Sequence, residues 1–272
     1  MMYNSMLTPE IKRNTHELKS VHLKRAVEFE IFLPDGLLGN EQLNLLLLND
    51  GQDADALNLL QAMSQLYGSR KIGPLVAVAI MASASRLDEY GVAGIPDFGG
   101  RGSRAQAYTD FIIHELLPFI EKTVGSAING RRAFAGFSLG GLSAFDIAWN
   151  NDSCFDTIGA FSASFWWRKK DLKDGYTDND RIMHERIRNT KAKPKLRFWL
   201  MTGTEDEASD RNKNFIIDSI DDTIDIIKEL LKKGYRRPDD LFYYERVGGK
   251  HDLSTWASVL PAFLCWAFSR KG

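Results

Sequence analysis

Gly136-Phe137-Ser138-Leu139-Gly140-Gly141 fits the pattern G-x-S-x-G, which holds a serine hydroxyl on a sharp turn between a strand and a helix. The glycines are needed for steric reasons. Strand and helix backbones approach closely at such a turn, so Gly136 and Gly140 supply space that side chains would fill. The turn exposes the Ser138 hydroxyl, and the first turn of the next helix leaves the Leu139 N–H free to donate to a developing oxyanion. A serine hydroxyl attacks a carbonyl only when a base stands beside it.

Of the five histidines, His251 alone fits the chain order serine, acid, histidine. It stands in Val247-Gly248-Gly249-Lys250-His251-Asp252, after the apolar run Leu241 to Val247 and before the last helical pattern. His16 and His22 lie in an N-terminal arm, His114 in an amphipathic helix, and His184 precedes every candidate acid. The acid should leave a strand end between Ser138 and His251, holding the His251 tautomer and stabilising the imidazolium. Leu196 to Met201 runs into Thr202-Gly203-Thr204-Glu205-Asp206-Glu207, and spacing alone leaves Glu205, Asp206, Glu207 and Asp210 open. A second oxyanion donor should follow an earlier strand. Asn49-Asp50-Gly51-Gln52-Asp53 follows Leu43 to Leu48 and makes the Gln52 N–H the candidate, while Asp-Gly is also an ordinary tight turn.

Strands and helices that could position these groups alternate along the chain. Leu43 to Leu48, Pro74 to Ala82, Arg132 to Phe137, Thr157 to Ser162, Leu196 to Met201 and Leu241 to Val247 are continuous apolar runs, as expected of strands buried on both faces. Helical patterns cover Asp55 to Tyr67, Arg104 to Val124, Leu139 to Trp149, Asn212 to Lys233 and Leu253 to Phe268. This repetition implies an α/β fold with a mainly parallel sheet and helices on both faces. Val21 to Leu33 reads as an antiparallel arm added to that sheet.

The chain has 272 residues, 44% hydrophobic and 26% charged, which excludes disorder and collagen-like repetition. Thirty-five Lys and Arg against 36 Asp and Glu leave a net charge of -1, so no global field favours nucleic acid or an anionic membrane. Cys154 and Cys265 alone make neither a disulfide framework nor a thiolate metal site, and both read as buried thiols in a reducing compartment. Met1 to Lys12 lacks the apolar core of an export signal, and no apolar run approaches the ~18 residues of a membrane span; a cytoplasmic location is expected. With no repeat or linker, one domain is expected, in which the irregular stretch Phe165 to Pro194 covers the pocket. Arg86, Trp166 and Trp167 should emerge at the same sheet edge as Ser138 and bind substrate, favouring a flat, polar or anionic group over a long acyl chain.

With these residues assembled, the chain resembles the putative esterase family of α/β-hydrolases, which includes siderophore, feruloyl and acetyl-xylan esterases, S-formylglutathione hydrolase and mycolyltransferases. The likeness runs over nearly the whole chain. It is carried by the Leu-rich strand into Asp50-Gly51-Gln52, Arg86-Leu87-Asp88-Glu89-Tyr90, Glu115-Leu116-Leu117-Pro118, the serine turn, Phe161-Ser162-Ala163-Ser164 with Trp166, Gly203-Thr204-Glu205-Asp206 and His251-Asp252. The Asp-Gly-Gln turn and the Arg-x-x-Glu-Tyr element are most similar to the siderophore-esterase branch. The resemblance implies an α/β-hydrolase fold and hydrolysis of a small-molecule ester without metal or cofactor. Through the Gly-Thr-x-Asp pattern it implies Asp206 as the acid. Acyl transfer by the same residues and a non-catalytic ligand-binding role are the alternatives. Nucleotide binding is opposed, because the serine turn is not G-x-G-x-x-G and carries no phosphate-loop lysine. The number of subunits is not implied.

Overall fold

The computed structural model describes residues 10–36 and 42–270, so most of the segment from which the lack of an export signal was inferred lies outside the described residues. Among them eight strands form one sheet: β1 Ile11–Ser20, β2 Arg25–Pro34, β3 Asn44–Asn49, β4 Leu75–Ile80, β5 Arg132–Phe137, β6 Thr157–Phe161, β7 Arg197–Glu205 and β8 Leu241–Lys250. The order is β1-β2-β4-β3-β5-β6-β7-β8. Strands β3 to β8 run parallel, and the β1–β2 hairpin joins β4 antiparallel. The arm thus begins earlier than the sequence suggested: Val21 falls in its turn, and β1 precedes it. β1 is an edge strand whose residues are mostly exposed, so it carries little apolar signal.

The helices are α1 Leu59–Gly68, α2 Arg86–Glu89, α3 Ala105–Phe111, α4 Leu117–Val124, α5 Ser138–Asn150, α6 Ile182–Asn189, α7 Asp218–Lys232 and α8 Leu253–Phe268. β3 and β4 show why continuous apolar runs are needed here. Leu45, Leu47, Val76 and Val78 enter a core layer with Phe111 of α3, Phe145 of α5 and Ile226 of α7. Leu46, Leu48, Ala77 and Ala79 enter the opposite layer with Met63 of α1 and Leu260 of α8. Each fully buried leucine side chain is worth about 1.5–3 kcal/mol, and a polar residue on either face would forfeit that.

Three boundaries differ from the sequence reading. The helix expected over Arg104 to Val124 passes through a π-helical turn at Ile112–Leu116 between α3 and α4. Pro118 accounts for it, since its ring nitrogen cannot donate to the preceding turn. α1 starts at Leu59 instead of Asp55, because Asn58 takes a left-handed conformation. α7 starts at Asp218 instead of Asn212: Asp210 accepts the amides of Asn214 and Phe215, closing a loop that competes with the helix.

Because β3 to β8 are parallel, their carboxyl ends share one edge, where Asn49, Phe137, Phe161, Glu205 and Lys250 lie. The stretch Phe165 to Pro194 leaves that edge after β6 and contains two 3-10 turns and α6.

Candidate active site

Ser138 is the first residue of α5, directly after β5, and its φ is 52°. A non-glycine residue in that region stores strain, which persists only where the surroundings fix it. They do so here by close contact. A Cβ at Gly136 would lie 2.4 Å from the carbonyl of Gly140, and one at Gly140 would lie 2.6 Å from Asp50 Oδ2. The Ser138 hydroxyl stays partly accessible and stands 3.5 Å from the buried Ser164 Oγ, while Ser164 N–H donates to the Ser138 carbonyl at 3.0 Å.

The Asn49–Gln52 loop abuts this turn. Asn49 Nδ2 donates to the Gly140 carbonyl at 2.8 Å, and Tyr108 donates to Asn49 Oδ1 at 2.6 Å. Asp50 is buried with φ 59°, and Arg86 grips its two oxygens at 2.7 and 2.8 Å. Gln52 is therefore carried on a clamped turn, with its side chain accepting from Ala82 N–H at 3.0 Å. Its amide and that of Leu139 both lie in first turns, where amides have no partner within the turn.

Asp206 follows the end of β7, which runs four residues past Met201. Among the four open carboxylates, Glu205 is exposed, Asp210 caps its own loop and Glu207 is half-buried, whereas Asp206 is 8% exposed. Its Oδ1 accepts from Ser162 Oγ at 3.0 Å, and its Oδ2 from Gly203 N–H at 3.0 Å and Ser219 Oγ at 3.3 Å. Burial pushes its pKa up, opposed by these donors and by His251.

His251 lies between β8 and α8, with its ring 5.1 Å from that of Trp256 in an edge-on arrangement. The residue is exposed, yet the protein packed around it lowers its pKa; Asp206 and Asp252 oppose this and Arg86 adds to it. Among the described residues the imidazole has no hydrogen bond to Ser138 or Asp206. Such bonds are often long without substrate and tighten when it binds.

The three expected substrate contacts part company. Arg86 is held by Asp50, and its guanidinium lies 5.1 Å from the Tyr90 ring. Trp167 is 0% exposed and packs against Gly91 and Gly102, so the expectation that it lines a pocket is corrected: it belongs to the core. Trp166 is half-buried beneath Arg101 at 5.1 Å and Arg168 at 5.9 Å. Arg101 is paired with Asp97, whereas Arg168 has no carboxylate partner among the described residues.

The sequence matches the family described as Putative esterase over residues 20–267. The chain belongs to that family. The fold of this esterase-family chain is similar to that of the enterobactin esterase from Shigella flexneri in the presence of enterobactin, with a TM-score of 0.73, 21% identity, and coverage of 97% of this chain and 61% of that one. It is also similar to a ferulic acid esterase (TM-score 0.69, 19% identity, 96% and 98% covered). A siderophore hydrolase from Aspergillus nidulans gives a TM-score of 0.68 at 17% identity, with 95% and 96% covered. The chain spans about three-fifths of the length of the enterobactin esterase it matches. No curated protein sequence matches.

Two further features of the esterase-family chain carried no assigned role in the sequence. Ser164 contacts Ser138, Ser162 contacts Asp206 and Trp256 contacts His251; the serines stand at a strand's carboxyl end within a family-like stretch, and Trp256 has no sequence signal. Arg181, buried at the start of α6, pairs with Asp222 and Asp225 of α7, and Arg211 from the loop after Asp206 joins Asp222. Among the described residues no cluster of His, Cys, Asp and Glu could hold a metal, and no helix is long and apolar enough to cross a membrane. Cys154 and Cys265 are free thiols, both half-buried.

Proposed function

We propose that the protein is a serine ester hydrolase acting on a small-molecule carboxylic ester. The observation that carries this reading is Ser138 at φ 52° on the β5–α5 turn, with Asp206 and His251 entering from the same sheet edge. Ser138 Oγ attacks the ester carbonyl carbon while His251 takes its proton, and the Leu139 and Gln52 amides hold the oxyanion. His251 then protonates the departing alcohol, leaving an acyl-enzyme. Water repeats the attack, again giving its proton to His251, and the acid departs as Ser138 is regenerated. Asp206 orients the imidazole and stabilises its charged form.

Trp166 offers a flat wall on the segment that follows Ser164, and Arg168 offers a cation without an ion-pair partner among the described residues. A flat or aromatic group of anionic character suits this surface better than a long acyl chain. The names of the structural neighbours, enterobactin esterase, ferulic acid esterase and siderophore hydrolase, support the same class of ester. The test is labelling by a fluorophosphonate together with turnover of aryl, acetyl and long-chain esters. Labelling should vanish in Ser138→Ala with the fold retained, and aryl esters should be preferred. Wild-type turnover in Ser138→Ala would refute the mechanism, and label without ester turnover in the wild type would point to acyl transfer or a non-catalytic role.

A further inference from the structure

Phe161 ends β6, and the next residue, Ser162, turns the chain with φ 44° while 2% exposed. That conformation aims its hydroxyl between two elements distant in sequence. Trp256 Nε1–H of α8 donates to Ser162 Oγ at 3.0 Å, and Ser162 Oγ–H donates onward to Asp206 Oδ1 at 3.0 Å. Among the described residues the only competing acceptor for that proton is Met201 Sδ at 3.9 Å. A carboxylate at the shorter distance wins, since charge-assisted bonds are about twice as strong as neutral ones and thioethers accept weakly. The indole thus fixes the oxygen's lone pair, and with it the direction of its proton.

Trp256 also touches the candidate base and the residue before the candidate nucleophile. Its ring meets the His251 ring edge-on at 5.1 Å and stacks on Phe137, the residue before Ser138, at 5.0 Å and 27°. One side chain therefore borders the base, supports the strand end that presents the nucleophile, and through one hydroxyl directs the acid. We propose that Ser162 and Trp256 act together as positioning residues, fixing Asp206 for His251 and holding the pair in register with Ser138. This rests on the triad reading above and adds to it a relay that neither residue type nor spacing discloses.

The positive φ at Ser162 makes glycine the clean deletion, because glycine adopts that conformation without cost. Trp256→Phe removes the N–H while keeping a ring against His251 and Phe137. The Ser162 proton stabilises the ionised acid, so its loss raises the proton affinity of the Asp206–His251 pair whichever member takes the proton. Other groups bearing on the pair are Asp252 and Arg86 near His251, and Tyr243 of β8 beside Asp206. None of them changes in either variant.

The experiment is the pH profile of kcat/KM for an acetyl ester in wild type, Ser162→Gly and Trp256→Phe, with the Trp256 indole N–H followed by NMR over the same pH range. Both variants should lose roughly tenfold or more in kcat with KM little changed, and the acid limb should move up by about half a pH unit. In the wild type the indole resonance should titrate with the acid limb, and in Ser162→Gly the amplitude of that titration should fall to what the edge-on His251 ring alone supplies. A lowered Tm with an unmoved limb, or an indole resonance indifferent to pH in the wild type, would overturn the relay. A wild type that turns over no ester would instead defeat the hydrolase reading, and the indole titration would still decide the relay.

Discussion

Gly203→Ala tests whether the ends of β7 and β8 must touch for the acid and base to work together. Gly203 lies in β7 three residues before Asp206, and Gly249 lies in β8 two residues before His251. A Cβ at Gly203 would sit 2.2 Å from the Gly249 carbonyl oxygen and 2.9 Å from Asp206 Oδ1. Ordinary contact begins near 3.4 Å, so the two strand ends must part by about 1.2 Å. Displacements near 1 Å at reacting groups cost about 10²-fold, whereas overpacking costs about 1–3 kcal/mol of stability. The expected outcome is a kcat for 4-nitrophenyl acetate lowered about 100-fold, with a cooperative thermal transition retained. Gly125→Ala is the control: Gly125 has φ 67° with open space around it, so it incurs backbone strain alone, and kcat should hold. An unchanged kcat in Gly203→Ala beside a lowered Tm would refute the reasoning.

Asp206→Asn should lower kcat by about 10²–10⁴-fold and move the acid limb down, opposite to Ser162→Gly, because the carboxylate raises the His251 pKa; an upward shift would contradict this. Arg86→Ala should reduce kcat for aryl and acetyl esters alike by loosening the Asn49–Gln52 turn, whereas Trp166→Ala should raise KM for aryl esters alone; the reverse pattern in paired steady-state assays would reassign both residues. Buried His184 donates to the Asp222 carbonyl at 2.9 Å, and burial holds its pKa down to about 3. The unfolded chain binds a proton there from about pH 6.5 downward, so this contribution to stability is complete above pH 6.5 and is lost as pH falls toward 3, up to about 5 kcal/mol. Urea midpoints of His184→Gln should depend less on pH than those of the wild type, and parallel curves would exclude His184 as the source.

The serine turn was legible because its requirements are local: a strand, a helix, and glycines where their backbones meet. His251 followed from chain order. The proposed acid did not, since Glu205, Asp206, Glu207 and Asp210 differ only in which one the turn buries. That depends on how far β7 continues along β8, a pairing between distant residues. Arg86 was placed at the right edge, but its partner Asp50 lies 36 residues upstream. Trp166 and Trp167 are both tryptophans, and only the packing of Trp167 against Gly91 and Gly102 separates a half-buried indole from a core one. Ser162 stood in the sequence only as part of a family-like stretch, because the role proposed for it depends on a left-handed φ that serine rarely adopts.

The arginine cluster around Asp222 bears on how the chain could be re-engineered. Arg181 belongs to the stretch between β6 and β7, Arg211 to the loop after the acid, and Asp222 to α7, so three segments meet on one buried carboxylate. Exchanging residues 165–194 for a foreign cassette would remove Arg181 and leave the buried Asp222 to Arg211 alone, which weakens the compensation of a buried charge. A graft running from 165 through 225 keeps Arg181, Arg211 and Asp222 together, but it also imports a different loop at Asp206. In this scaffold the stretch between β6 and β7 and the loop that carries Asp206 are exchanged as one piece.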